Sequence, residues 1–169
     1  MRSRRASLHH GLDSAPPAAA AESARALSGA RPKFVRDVVL VVDDTEDARE
    51  LFATVLRREG FVVVTAADGL EALEVAASER PSVIVLDLAM PRMDGFEALP
   101  LLRRELEGAD AFVIVVSACT DPRSRARAVD AGCDDFLAKP CSPSTLVASV
   151  ERAFEELGRR PEALARSAS

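Results

Sequence analysis

A chain of 169 residues, 48% hydrophobic and 29% charged, has room for one compact domain with tails and enough apolar side chains to fill its core. Its formal net charge of −5 is unevenly spread: residues 1–36 carry seven basic and two acidic side chains, and residues 37–169 carry fifteen basic and twenty-five acidic ones, so the acidic part is not expected to bind nucleic acid. Three cysteines without a CxxC pair argue against a disulfide framework or zinc site, the apolar runs are strand-sized rather than membrane-spanning, and the N-terminus lacks the apolar stretch of a secretory signal.

Residues 1–36, rich in Ala, Ser, Arg and Pro, read as a disordered basic leader. At Asp37 the pattern changes. Val38-Val39-Leu40-Val41-Val42 is a continuous apolar run whose length and β-branching predict a strand buried on both faces. Ala48, Leu51, Phe52, Val55 and Leu56 then fall at helical spacing, with Asp44 or Thr45 to cap the start and Gly60 to end it. Phe61–Val64 reads as a second strand, and Asp68 opens a second helix running through Val75. Val83–Leu86 is a third buried strand ending at Asp87, followed by a helix from about Gly95 to Leu106. Pro100 falls inside that helix, where it lacks an amide donor and crowds the Phe96 carbonyl, so the helix is expected to start late or to kink. Phe112–Val116 is a fourth strand ending at Ser117; Asp121-Pro122 opens a fourth helix stopped by Gly132. Its arginines, Arg123, Arg125 and Arg127, read as a solvated face. Phe136–Ala138 is a short fifth strand ending at Lys139, and Ser142-Pro143 opens a last helix reaching Leu157. Five β–α units in succession predict a parallel sheet with helices on both faces, joined by right-handed crossovers.

The polar residues fall where chemistry is expected. Asp43 and Asp44 follow the first strand, Asp87 the third, Ser117 the fourth and Lys139 the fifth. In an open parallel sheet, the crevice beyond the carboxyl ends of the strands is the ligand site. Three clustered carboxylates repel one another unless a cation joins them, and hard oxygen donors suit Mg²⁺. An ammonium and a hydroxyl beside them can hold the oxygens of a phosphoryl group. The alternative reading of Asp43 and Asp44 is that they merely cap the first helix.

Val41-Val42-Asp43-Asp44, Asp87 followed by Met90-Pro91-Arg92-Met93-Asp94-Gly95, Ser117-Ala118 and Lys139-Pro140 together resemble the receiver domain of two-component response regulators. The resemblance spans residues 37–157 and implies an α/β, flavodoxin-like, doubly wound sheet of five parallel strands in the order 2-1-3-4-5, leaving residues 158–169 as a short tail. It implies that Asp87 is the phosphoacceptor and that Mg²⁺ is held by Asp43, Asp44, Asp87 and the backbone carbonyl of Ala89. By the same resemblance Ser117, Ala118 and Lys139 contact the phosphoryl group, Ser117 and Phe136 move as the switch, and the Lys139–Pro140 peptide bond is cis. Ala89 and Cys119 depart from the residue types usual at their positions, and Phe136 lacks the hydroxyl of the commoner tyrosine.

The resemblance implies a cytoplasmic signalling protein, not an enzyme beyond its own phosphoryl transfer and autodephosphorylation. A histidine kinase or histidine phosphotransfer protein would be the donor, and the face built by the fourth helix, fifth strand and fifth helix would meet a downstream protein. Only twelve residues follow Leu157, so a stand-alone receiver with no direct DNA binding and no membrane partner is expected. The alternative is a receiver-fold adaptor that works without phosphorylation. A haloacid-dehalogenase-type phosphohydrolase is disfavoured, because Ala89 stands where its second aspartate is needed.

Overall fold

The computed structural model of the chain describes residues 37–107 and 109–158. The expected disordered leader, residues 1–36, lies outside the described residues, as does the expected tail, residues 158–169, apart from Gly158.

Strand β1 (Val38–Val42) is buried at every position, as its unbroken apolar run requires. Helix α1 (Glu46–Arg58) follows, with two acids in its first turn and two arginines in its last, matching the helix dipole. Thr45 is its N-cap residue but makes no side-chain cap bond, and Gly60, at φ 93, turns the chain back toward the sheet. Strand β2 (Val62–Ala66) begins one residue later than its apolar run suggests. Helix α2 (Gly69–Glu79) is capped by Asp68 and runs a turn beyond Val75, ending at Arg80 in the left-handed conformation.

Strand β3 (Val83–Leu86) leads through a loop to helix α3 (Gly95–Glu105). Here Asp94 and Glu97 form a capping box, so the start is fixed at Gly95 rather than delayed to Pro100. Pro100 is accommodated within the helix on its solvent side, where its ring meets water rather than the core. Strand β4 (Phe112–Ser117), helix α4 (Pro122–Asp130), strand β5 (Asp135–Ala138) and helix α5 (Pro143–Glu156) complete the alternation. Both α4 and α5 start with the acceptor-then-proline pair that supplies a cap and a pre-set φ.

The five strands are all parallel, in the order β2-β1-β3-β4-β5. Because side chains alternate along a strand, Leu40 and Val42 join one core while Val39 and Val41 join the other. The first core packs against α2, α3 and α4 through Ala72, Ala76, Ala98, Leu99, Leu102 and Ala128. The second packs against α1 and α5, where Phe52, Leu56 and Val150 lie and where Phe61 stacks on Phe154 at 5.2 Å. The fold is the flavodoxin-like doubly wound sheet that the sequence motifs imply. Among the described residues no helix is long and apolar enough to cross a membrane.

Candidate functional site

The sheet's order reverses between β1 and β3: from these two central strands the chain leaves toward opposite edges. That switch point opens a crevice at the carboxyl ends of the strands. Asp43, Asp87 and Lys139 each sit one residue past a strand yet still on the hydrogen-bond ladder. Their amides donate to the carbonyls of Ala66 (3.2 Å), Val42 (2.9 Å) and Ser117 (2.9 Å). Backbone pairing therefore fixes where their side chains emerge.

Asp43 is buried; its Oδ1 accepts from the Thr45 amide at 2.9 Å and its carbonyl from Arg49 Nη1 at 2.7 Å. Asp87 is only 5% exposed, and its Oδ1 accepts from the Ala89 amide at 3.2 Å. Lys139 Nζ bridges the two acids, donating to Asp43 Oδ2 at 2.8 Å and Asp87 Oδ2 at 2.9 Å. Asp44 is exposed, and one carboxylate oxygen from each of Asp43, Asp44 and Asp87 lies within 4.8 Å of the others. Burial pushes the Asp87 carboxyl above its ordinary 3.8, and the hydrogen bonds from Lys139 and Ala89 only partly offset this. Burial works against the Lys139 ammonium too, but hydrogen bonds and charge from Asp43 and Asp87 outweigh it and raise its pKa above 10.5.

Ser117, fully buried at the end of β4, accepts a hydrogen bond on Oγ from the Cys119 amide at 3.1 Å, not from Lys139. Ala118 and Ala89 are exposed at the same edge. Phe136 is buried in β5, and the Lys139–Pro140 peptide bond is cis. The structure thus brings Asp43, Asp44, Asp87 and Lys139 into one cluster, while Ser117, at the end of β4, is engaged by the Cys119 amide instead. The donor set is made of hard oxygens on a partly desolvated floor, which fits a small divalent cation and not a soft metal.

Some contacts around the site were not legible in the sequence. Asp68 caps α2 but also pairs with Arg92 in the β3–α3 loop. Arg123, Arg125 and Arg127 are exposed, as expected of a solvated face, yet two of them also cover rings. Arg125 lies over the Phe136 ring at 5.3 Å and Arg127 over Phe96 at 4.0 Å, because flat guanidinium groups cover aromatic faces well.

Comparison with known proteins gives the class. The response regulator receiver domain family matches residues 39–151, and the chain belongs to that family. These are signalling domains of two-component systems rather than classical enzymes; phosphorylation on aspartate and Mg²⁺ binding are typical of them. Similar proteins include the response regulator MprA of Mycobacterium ulcerans, 43% identical over 110 residues, or 65% of this chain and 47% of that one. "Probable transcriptional regulator ycf27" of Porphyridium aerugineum is 35% identical over 124 residues, 73% of this chain and 50% of that one. Among solved structures, the Vibrio cholerae chemotaxis protein CheY4 superposes with a TM-score of 0.66 at 33% identity, covering 70% of this chain and 99% of that one.

One expectation is corrected by these relatives. The acidic balance of residues 37–169 and the twelve residues after Leu157 lead to the expectation of no direct DNA binding. Yet the same domain occurs in a relative named as a transcriptional regulator, and the chain spans about half the length of the curated relatives it matches. The charge of the receiver domain describes that domain alone and excludes nothing about a protein that carries it.

Proposed function

We propose that the chain is a phosphorylation switch in which Asp87 takes a phosphoryl group from a phosphohistidine. The observation that carries this reading is the cluster itself: three carboxylates within 4.8 Å, with Lys139 bridging Asp43 and Asp87 at the carboxyl edge of the sheet. Asp43, Asp44, Asp87 and the Ala89 carbonyl are the groups that would hold Mg²⁺, which when bound offsets the negative charge gathered by acids and phosphate. In the transfer, the nitrogen–phosphorus bond of the donor breaks as a bond forms from an Asp87 carboxylate oxygen to phosphorus, and the imidazole keeps the electron pair. In-line phosphoryl transfer needs chiefly such positioning and charge compensation.

Lys139 then exchanges its contact with the Asp87 carboxylate for one with a phosphoryl oxygen. Ser117 leaves the Cys119 amide to donate to another, and the Ala118 amide lies beside it on the same loop. Movement of Ser117 frees space toward which Phe136 turns, and α4, β5 and α5 form the face that reports the change to a downstream protein. The donor is a histidine kinase or a histidine phosphotransfer protein. The receiver domain spans residues 37–157, and the cytoplasm, where such donors present phosphohistidine, is the compartment of action.

Incubation with acetyl phosphate and Mg²⁺, followed by intact-mass spectrometry, tests the reading. A single phosphoryl adduct that is lost in Asp87→Asn is expected. No adduct in the unaltered chain, or one that persists in the variant, overturns it.

A further inference from the structure

We propose that Asp68 and Arg92 form a clasp that positions the loop between β3 and α3 for the metal ion, an inference that rests on the magnesium reading of the site. The loop carries Asp87 at its start and Ala89 two residues on, so its path decides whether a carboxylate and a backbone carbonyl reach the same ion. Three tethers hold that path. The Gly95 amide donates to the Leu88 carbonyl at 3.0 Å, and a Cβ at Gly95 would collide with the Asp87 carbonyl oxygen. The Gly69 amide donates to the Met93 carbonyl at 3.3 Å, and a Cβ at Gly69 would lie 2.7 Å from Met93 Cγ. The third tether is the ion pair between Asp68 Oδ2 and Arg92 Nη2.

The first two tethers are backbone contacts at the ends of the loop. The third acts on its interior, through a residue with unusual geometry. Arg92 has φ 67, the left-handed region that an L side chain rarely adopts. Its own side chain is 65% exposed, so burial does not hold it there. Asp68 does. That carboxylate is 2% exposed, and its two oxygens have separate tasks: Oδ1 accepts from the amides of Leu70 (2.9 Å) and Glu71 (3.0 Å), while Oδ2 faces the guanidinium. An exposed ion pair usually contributes little. Here one partner is buried, so loss of the guanidinium leaves an interior carboxylate oxygen without its partner. Helix α2 is thus the fixed post to which the metal-side loop is tied, and Arg92 is a positioning residue.

Calorimetric titration of the full chain with Mg²⁺ tests this with Arg92→Ala, Arg92→Gly, Asp68→Asn and the Arg92→Ala/Asp68→Asn pair. Asparagine remains a good helix cap, so α2 stays capped in the Asp68 variant. Each single variant is expected to raise the Mg²⁺ dissociation constant by roughly tenfold, the low end for outer-shell partners of a metal site. The double variant is expected to be no weaker than either single one, since one interaction is lost once. Glycine relieves φ 67 without restoring the guanidinium, so Arg92→Gly should bind as weakly as Arg92→Ala. Single variants that bind like the unaltered chain, losses that multiply in the double variant, or a glycine variant with full affinity would each overturn the clasp. An unaltered chain that takes up no Mg²⁺ overturns the magnesium reading itself, a separate and recognisable result.

Discussion

Asp87→Asn removes the charge of a buried acid at the site without changing its shape, and the structure predicts the sign of the result. At an effective dielectric constant of about 20, the Lys139 ammonium at 2.9 Å attracts the Asp87 carboxylate by roughly 5.7 kcal/mol. Asp43 and Asp44, each with an oxygen within 4.8 Å, each repel it by at least roughly 3.5 kcal/mol. Asp44 is exposed and solvent discounts its share, so the charges nearly cancel and burial decides. Metal-free Asp87→Asn should therefore be about 1–2 kcal/mol more stable than the unaltered chain at pH 7, the scale on which an incompletely compensated buried polar group is penalised in proteins. For a domain of this size that is a rise of about 3–8 °C in melting temperature.

Two controls follow from the same charges. Burial raises the folded-state pKa of Asp87 above 3.8, so the penalty is present at pH 7 and fades as pH falls through that raised value. The advantage of Asp87→Asn should shrink on acidification from pH 7. Mg²⁺ should close or reverse the gap, because a ligand at a hundred times its dissociation constant stabilises the folded state by about 2.7 kcal/mol and the asparagine variant lacks one anionic donor. Thermal melts by far-ultraviolet circular dichroism in EDTA and in excess Mg²⁺ decide the matter. A variant that melts below the unaltered chain in EDTA, or an equal gain from Mg²⁺ in both, refutes the reasoning.

Lys139→Met removes the ammonium shared by two buried carboxylates. In urea unfolding with EDTA it should cost about 3–5 kcal/mol, part of it restored by Mg²⁺. Gly95→Ala places a methyl group against the Asp87 carbonyl oxygen and the Leu88 Cα, both backbone, so the midpoint in urea should fall by the equivalent of about 1–3 kcal/mol despite alanine's higher helix propensity. Cys119 is exposed whereas Cys133 is buried and has its thiol pKa raised by that burial. Iodoacetamide at pH 8 should label Cys119 rapidly and Cys133 only after unfolding, as peptide mass spectrometry will show.

The strands and the acidic edge were readable because both follow from local pattern plus a rule of topology. The short, β-branched apolar runs Val38–Val42 and Val83–Leu86 read as strands buried on both faces, and a residue directly after a parallel strand emerges at the carboxyl edge, which is where Asp43, Asp87 and Lys139 stand. Pro100 does not delay the start of α3. Its local penalty is real, but the Asp94–Glu97 capping box and the burial of Ala98, Leu99 and Leu102 outweigh it. The contacts of Arg92, Arg103 and Arg125 were beyond the sequence, since each reaches a partner on another element. Arg103 joins α3 to the carbonyls of Ala111 (2.6 Å) and Gly132 (2.8 Å) and to Asp134, and nothing in the spacing of an exposed-looking arginine announces this.

Of the five described helices, α4 buries the fewest residues, and arginine contacts supply much of its attachment. It has nine residues, and Ala128 is the only one of them that is buried, so little apolar surface ties it to the sheet. Its attachment rests instead on Arg125 over Phe136 and Arg127 over Phe96, contacts worth about 0.5–1 kcal/mol each where solvent reaches them. The chain entering β5 from α4 is anchored by Arg103 at Gly132, so α4 is fixed at its far end and weakly held along its length. A helix attached in this way responds to small changes in the ring beneath it. Phe136 lies in β5 three residues before Lys139, and β5 is the strand that carries the ammonium into the acidic cluster. Charge rearrangement around Lys139 and the seating of α4 therefore meet in one short strand, in which a free-energy change of about 1 kcal/mol is enough to shift a population severalfold.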